Sequence, residues 1–192
     1  MKMPKTIIYL HGFKSSSDSS KAKVFDSLIK KHARKTQVII PDIKDDIRDS
    51  YEQIEEIIES ASGEISFVGS SLGGYYSLYF AQKYNTKAVL INPAIPPLDG
   101  FDIHLGENEN YDTGNKFLIT KEDIKYLRAL SYKKIKKPQD ILVLLESGDE
   151  ILNYLKTISF FSGCYVDITY GGNHSFASFD SKFTNIKSFL NL

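Results

Sequence analysis

A doubly wound, mostly parallel α/β domain is the fold class this sequence predicts, on three observations. Six short apolar runs alternate with helix-period segments along the chain. Most of those runs are continuously apolar rather than alternating, as parallel strands buried on both faces must be. A chain of 192 residues also suffices for one domain that buries about 70% of its unfolded surface.

The strand candidates are Thr6–Leu10, Gln37–Ile40, Ile65–Val68, Ala88–Ile91, Ile141–Leu145 and Tyr165–Thr169. Between them, Ala22, Phe25, Leu28, Ile29 and Ala33 mark one helical stripe, preceded by the cap-prone cluster Ser15–Ser20. Tyr51, Ile54, Ile57, Ile58 and Ala61 mark a second. The segment Leu72–Tyr84 is apolar nearly all round and is expected as a central helix against the sheet. Ile151, Tyr154, Leu155 and Ile158 suggest a later helix, and Phe183, Ile186, Phe189 and Leu190 a final one.

One stretch breaks the rhythm. Residues 92–138 contain no strand candidate, and Pro93, Pro96 and Pro97 interrupt the chain early. Within it, Ile124, Leu127 and Leu130 share a helical face, with Thr120 and Asp123 spaced like a capping box. The stretch is either a cap over a pocket or ordinary surface packing, and a helical cap insertion is preferred, within a single domain spanning residues 1–192 that no repeat or linker divides.

The run Gly69-Ser70-Ser71-Leu72-Gly73 fits Gly-x-Ser-x-Gly at the junction of a strand and a helix. Such a sharp turn lifts one serine hydroxyl above the sheet, and its glycines leave room for tight backbone. Only Ser71 has glycine two residues away on both sides, so Ser71 is the candidate nucleophile.

A serine needs a base, and the base needs an orienting group. Of four histidines, His32 lies in a basic helical stretch and His104 in the irregular insertion. His174 follows the last strand in Gly171-Gly172-Asn173-His174, where catalytic groups of a parallel α/β sheet are expected. The acid is expected in Glu146-Ser147-Gly148-Asp149-Glu150 after the preceding strand. Glu146 is still attached to that strand, so Asp149 is preferred, with Glu150 as the fallback. Asp149 is also placed to cap the helix beginning near Ile151. The order Ser, acid, His is that of an α/β-hydrolase.

An oxyanion hole requires two preorganised N–H donors. Leu72, following the nucleophile, supplies one. Phe13, in the His11-Gly12-Phe13 turn after the first strand, is expected to supply the other, with His11 and Gly12 supporting the loop. Leu98, Phe101, Tyr111 and Phe117 give the insertion apolar side chains that can line an acyl pocket or pack it onto the domain.

Composition excludes other chemistries. The 24 basic residues balance the 24 acidic ones, leaving no field that favours nucleic acid or an anionic membrane. One cysteine, Cys164, cannot form an internal disulfide or a thiolate cluster, and no histidine pair has zinc-helix spacing. No metal or organic cofactor is expected. The short apolar run at the N-terminus is too short for a signal-peptide core, so a cytoplasmic location without membrane anchoring is expected.

Several segments together resemble the YqiA-type esterase family of small bacterial α/β-hydrolases. They are Tyr9-Leu10-His11-Gly12-Phe13, Gly69 to Tyr76, Asn92-Pro93-Ala94, Gly106-Glu107-Asn108-Glu109-Asn110, Gly148-Asp149-Glu150 and Gly171-Gly172-Asn173-His174. The elbow is shared by many hydrolases, whereas the Asn-Pro-Ala and Glu-Asn-Glu-Asn segments are more specific. Carried over by position, the resemblance supports Ser71, Asp149 and His174 as a triad. It implies a serine esterase or thioesterase acting on small acyl esters or acyl thioesters, acyl-CoA among them. Tyr111 to Gly114 and the charged run after Pro41 depart from the family pattern, and both lie outside the triad. Two other readings stay open: a peptidase using the same site, and a hydrolase-fold binding or interaction protein with little turnover.

Overall fold

The structure, a computed structural model, describes residues 5–192. Its elements in chain order begin with β1 (Lys5–Leu10), α1 (Ser20–His32), β2 (Thr36–Ile39), α2 (Ile47–Ser60), β3 (Glu64–Ser70), α3 (Leu72–Tyr84) and β4 (Lys87–Ile91). There follow β5 (Gly106–Glu109), β6 (Lys116–Ile119), α4 (Lys121–Ala129), β7 (Ile141–Glu146), α5 (Tyr154–Phe160), β8 (Tyr165–Thr169) and α6 (Phe179–Leu190). Six strands form one sheet in the order β2-β1-β3-β4-β7-β8, every neighbouring pair parallel. β5 and β6 form a separate antiparallel pair.

Alternate side chains of the buried strands enter two cores. Ile7, Tyr9, Val68, Val89 and Leu144 pack with Phe25 of α1 and with Phe179, Phe183 and Ile186 of α6. Ile8, Leu10, Phe67, Leu90 and Val143 pack on the other face with Ile54 of α2, Leu78 and Phe80 of α3 and Leu127 of α4. Because both faces are covered, the strands read as continuous apolar runs.

The topology also decides where chemistry can occur. From β1 the chain moves outward to β2 and returns to β3 on the opposite side of β1. The switch point therefore lies between the carboxyl ends of β1 and β3, where doubly wound sheets open a crevice. The loop His11–Phe13 and the Ser71 turn meet there.

The insertion differs from expectation by containing strands. β5 and β6 are four residues each, and their pairing Gly106↔Ile119 to Glu109↔Lys116 sets a strand with no apolar residue against one whose apolar run, Phe117 to Ile119, is too short to mark a strand. The expected capping box does form. The Thr120 hydroxyl accepts from the Asp123 N–H at 3.2 Å, and the Asp123 carboxylate accepts from the Thr120 N–H at 2.9 Å. The Tyr75 hydroxyl donates to the Leu127 carbonyl at 2.7 Å, which docks α4 on α3.

Helix starts are the other corrections. The Asp46 side chain accepts from the Arg48 and Asp49 N–H groups and starts α2 at Ile47. The later helix starts at Tyr154 rather than near Ile151, because the Asn153 side chain accepts from Leu155 and Lys156. Ile151 is left 67% exposed ahead of it. Among the described residues, no helix is long and apolar enough to cross a membrane.

Candidate active site

Ser71 is the hinge between β3 and α3, with φ 55° and ψ −121°, a backbone conformation that L residues rarely adopt. Its main chain is pinned on both sides. The Ser71 N–H donates to Ile91 O at 3.0 Å, and the Ser71 carbonyl accepts from Gly74, Tyr75 and Ala94. The flanking glycines are required by close approach. A Cβ on Gly69 would collide with the Gly73 carbonyl and the Ser77 hydroxyl, and one on Gly73 with the carbonyls of Leu10 and His11. The Ser-x-Gly spacing thus lets α3 start directly against β1.

His174 reaches Ser71 from the loop between β8 and α6. Its Nε2 lies 3.1 Å from Ser71 Oγ, and its Nδ1 lies 2.8 Å from Asp149 Oδ2. A neutral ring facing the carboxylate carries its proton on Nδ1, which leaves the Nε2 lone pair to accept from the serine hydroxyl. The Asp149 side chain is only 3% exposed. Burial pushes its pKa up, but hydrogen bonds from His174 and from the Leu152 and Ile151 N–H groups outweigh it and hold the carboxyl below its ordinary range. Its Oδ1 accepts from Ile151 at 2.9 Å and Leu152 at 2.8 Å. Asp149 therefore orients His174 and caps its own turn at once, a turn that does not continue into a helix.

The residues expected to form the oxyanion loop lie beside the nucleophile. Ser71, His174, Gly12 and Phe13 line one cavity of about 350 Å³. A Cβ built on Gly12 would stand 3.4 Å from the Ser71 Cβ, so that backbone passes directly alongside. Neither the Leu72 N–H nor the Phe13 N–H has a backbone partner among the described residues. His11 is buried and braces the loop. Its Nδ1 lies 3.0 Å from Gly12 O and its Nε2 accepts from the Ile43 N–H at 3.0 Å. Those contacts fix a neutral ring with the proton on Nδ1, and burial lowers its pKa to match.

The four candidate pocket residues separate. Leu98 and Phe101 line a second cavity of about 340 Å³ with Pro93, Ile95 and Leu152, adjoining the Asp149 turn. Tyr111 does not join them: it is 78% exposed near Lys14, whose Nζ stands 5.4 Å from its ring centroid. Phe117 instead packs edge-on against Phe13 at 5.7 Å. Both follow from the hairpin, which is bonded to the loop after β1 through Tyr111 N–H to Lys14 O and the Asn110 side chain to Ser15 O.

Three further residues hold the histidine loop in ways that sequence position does not reveal. Glu146, the last residue of β7, is fully buried. Its carboxylate accepts from the N–H groups of Asn173 (2.7 Å), Ala177 (3.1 Å) and Ser178 (2.7 Å), gripping both shoulders of the His174 loop. Burial raises its pKa, and these bonds more than offset that, leaving the carboxyl below its ordinary value. The Asn92 amide donates to Asn173 O, and its oxygen accepts from the Glu146 N–H. Glu150, the fallback acid, accepts from the His174 N–H at 3.0 Å and so touches the histidine's backbone rather than its ring. Only the strand-end position of Glu146 hinted at this. Among the described residues, no cluster of three or more His, Cys, Asp or Glu is placed to hold a metal.

Known proteins match this chain along most of its length. Residues 6–191 match the sequence profile described as "Uncharacterised protein family (UPF0227)". A UPF0227 protein of Vibrio atlanticus is 25% identical over 189 residues, covering 96% of this chain and 99% of its own. A second, from Vibrio vulnificus, is 28% identical over 162 residues, 79% of each chain. Among solved structures, mouse alpha/beta hydrolase domain-containing protein 10 superposes with TM-score 0.75 at 19% identity, covering 97% of this chain and 89% of its own. Est1E from Butyrivibrio proteoclasticus superposes with TM-score 0.70 at 17% identity, covering 99% and 88%. A monoacylglycerol lipase from Paleococcus ferrophilus gives TM-score 0.71 at 14% identity, covering 96% and 93%. The fold is that of the α/β-hydrolases.

Proposed function

We propose that this chain, which belongs to the UPF0227 family and so to the YqiA-type group its motifs resemble, is a serine hydrolase of carboxylic esters or acyl thioesters. The observation that carries this reading is the continuous relay from Asp149 through His174 to Ser71, at 2.8 and 3.1 Å, with the serine held on a strained turn. Ser71 Oγ attacks the acyl carbonyl as His174 Nε2 takes its proton. The Leu72 and Phe13 N–H groups receive the oxyanion. His174 then protonates the leaving alkoxide or thiolate, leaving an acyl-enzyme. Water attacks that acyl-enzyme, with His174 again the base. Fold neighbours that include a monoacylglycerol lipase and a lipolytic enzyme favour ester over amide chemistry.

The apolar cavity bordered by Leu98 and Phe101 is the proposed place for the acyl group, with acyl-CoA among the thioesters to be tested. Fluorophosphonate labelling read by intact mass tests the nucleophile. One adduct is expected on wild type and none on Ser71→Ala or His174→Ala. Hydrolysis of a 4-nitrophenyl ester is expected to fall about a millionfold in Ser71→Ala. Equal labelling of wild type and Ser71→Ala would refute the assignment.

A further inference from the structure

The loop after β1 is held from outside itself. Lys14 directly follows the expected oxyanion donor Phe13 and has φ 60°, a left-handed conformation that a non-glycine residue keeps only when its surroundings impose it. The β5–β6 hairpin supplies those surroundings. The Tyr111 N–H donates to Lys14 O at 2.8 Å, and the Asn110 amide donates to Ser15 O at 3.1 Å. Asp112 Oδ2 accepts from the Ser15 and Ser16 hydroxyls at 3.1 and 2.9 Å.

Asn110 is the centre of that clasp. It is 4% exposed, and its amide fills every hydrogen-bonding position it has. Nδ2 gives one proton to Ser15 O and the other to Asp45 Oδ1, at 3.0 Å, in the loop between β2 and α2. Oδ1 accepts from the Asp112 and Thr113 N–H groups at 3.0 and 3.1 Å, which shapes the hairpin turn. One buried side chain thus ties the turn of the hairpin to the loop that carries Phe13.

Aromatic rings make a second, separate connection. The Phe13 ring meets His104 at 4.8 Å, Phe101 at 5.1 Å and Phe117 at 5.7 Å, all from the insertion. Phe101 and His104 also pack on each other at 5.1 Å. Aromatic pairs prefer defined mutual orientations. Phe13 is therefore gripped by its ring, while the main chain of Lys14 and Ser15 is gripped by the hairpin turn. Between these grips lies the backbone that passes Ser71, with a Phe13 N–H that has no backbone partner among the described residues.

We propose that Asn110 is a positioning residue for the oxyanion hole, holding the Phe13 N–H in place through the hairpin clasp. The inference rests on the hydrolase reading of Ser71 and gives the insertion a part in that chemistry. An oxyanion donor is worth most in the transition state, when the charge has moved onto the oxygen. A displaced donor therefore lowers kcat and weakens a tetrahedral adduct, with little effect on substrate binding.

Asn110→Asp is the selective variant. Its carboxylate can still accept from the Asp112 and Thr113 N–H groups, but it has no proton for Ser15 O and it faces the Asp45 carboxylate. The clasp opens while the hairpin turn keeps its bonds. With 4-nitrophenyl pentanoate, kcat is expected to fall about 10- to 100-fold while KM stays within about twofold. Butyl trifluoromethyl ketone has the same chain, and addition of Ser71 Oγ to its carbonyl leaves an oxyanion in the hole. Its inhibition constant is expected to rise by about the factor by which kcat falls. Thr120→Ala breaks the α4 capping box in the same insertion, and is expected to lower Tm and leave kcat and the inhibition constant unchanged. Phe117→Leu loosens the ring contact at a half-buried position and should shift both constants in the direction of Asn110→Asp, by a smaller factor. It carries the test if Asn110→Asp does not fold. Wild-type kcat and inhibition constant in folded Asn110→Asp, or failing that in Phe117→Leu, would overturn the positioning role and leave the hydrolase intact. Equal losses in Thr120→Ala would also overturn it, as a general effect of destabilising the insertion. A wild type that cleaves no ester and takes no fluorophosphonate would remove the hydrolase reading, and the positioning role with it.

Discussion

Ser71 and His174 meet at 3.1 Å, yet they are held there by different means. The serine turn is built from main chain: a positive φ, four backbone hydrogen bonds at Ser71 and glycines that let α3 lie against β1. The histidine loop is built from side chains that come from elsewhere in the sequence. Glu146 grips it through three N–H groups, Asn92 and Lys21 hold its carbonyls, and Glu150 takes the His174 N–H. A site can thus be half backbone geometry and half polar network. The first half fails by collision and the second by lost hydrogen bonds.

Gly73→Ala attacks the backbone half and should have the largest effect on stability. Its Cβ would enter the carbonyls of Leu10 and His11, main-chain atoms that cannot rotate away. A loss above about 4 kcal/mol is expected, measured by urea denaturation. A variant that folds with wild-type stability would show that the elbow tolerates separation from β1.

Glu146→Gln attacks the polar half. Two N–H groups converge on Oε2 and one on Oε1, so the amide NH₂ must face at least one donor. The expected stability loss is smaller, about 1–3 kcal/mol. Its signature is kinetic: kcat should fall by up to about 100-fold as His174 shifts, with KM little changed. An unaltered kcat would mean that the loop holds its position without this carboxylate.

The pH dependence sharpens the same contrast with the smallest effect. The folded Glu146 carboxyl lies below its ordinary value of 4.5, so its contribution is fully present above that pH and is lost as the pH falls through the folded value. The difference in Tm between wild type and Glu146→Gln should therefore be constant near neutrality and shrink below about pH 4.5. Gly73→Ala, which removes no titrating group, should show no such convergence.

The elbow was legible because its determinants are adjacent: strand, Gly-x-Ser-x-Gly and helix occupy one stretch of chain. Asp149 and His174 were legible by their positions after consecutive strands. The role of Glu146 is not legible, because its attachment to β7 keeps it from the ring while its partners lie 27 to 32 residues onward. The β5–β6 hairpin is not legible, because four residues without an apolar side chain opposite a four-residue strand make no periodic signal. Hydrophobicity alone does not separate Tyr111 from Phe117, whereas the hairpin turns one to solvent and the other onto Phe13.

The sequence by itself determined the α/β alternation, the nucleophile and the order of the triad. Hydrophobic period, glycine spacing and position relative to a strand end are local properties of the chain. Only the tertiary structure decided how His174 is anchored and which cavity Leu98 and Phe101 border. Those relations are distances between groups remote in sequence, set by how β1, β3 and β7 pair and by which face each helix covers. No local pattern encodes them.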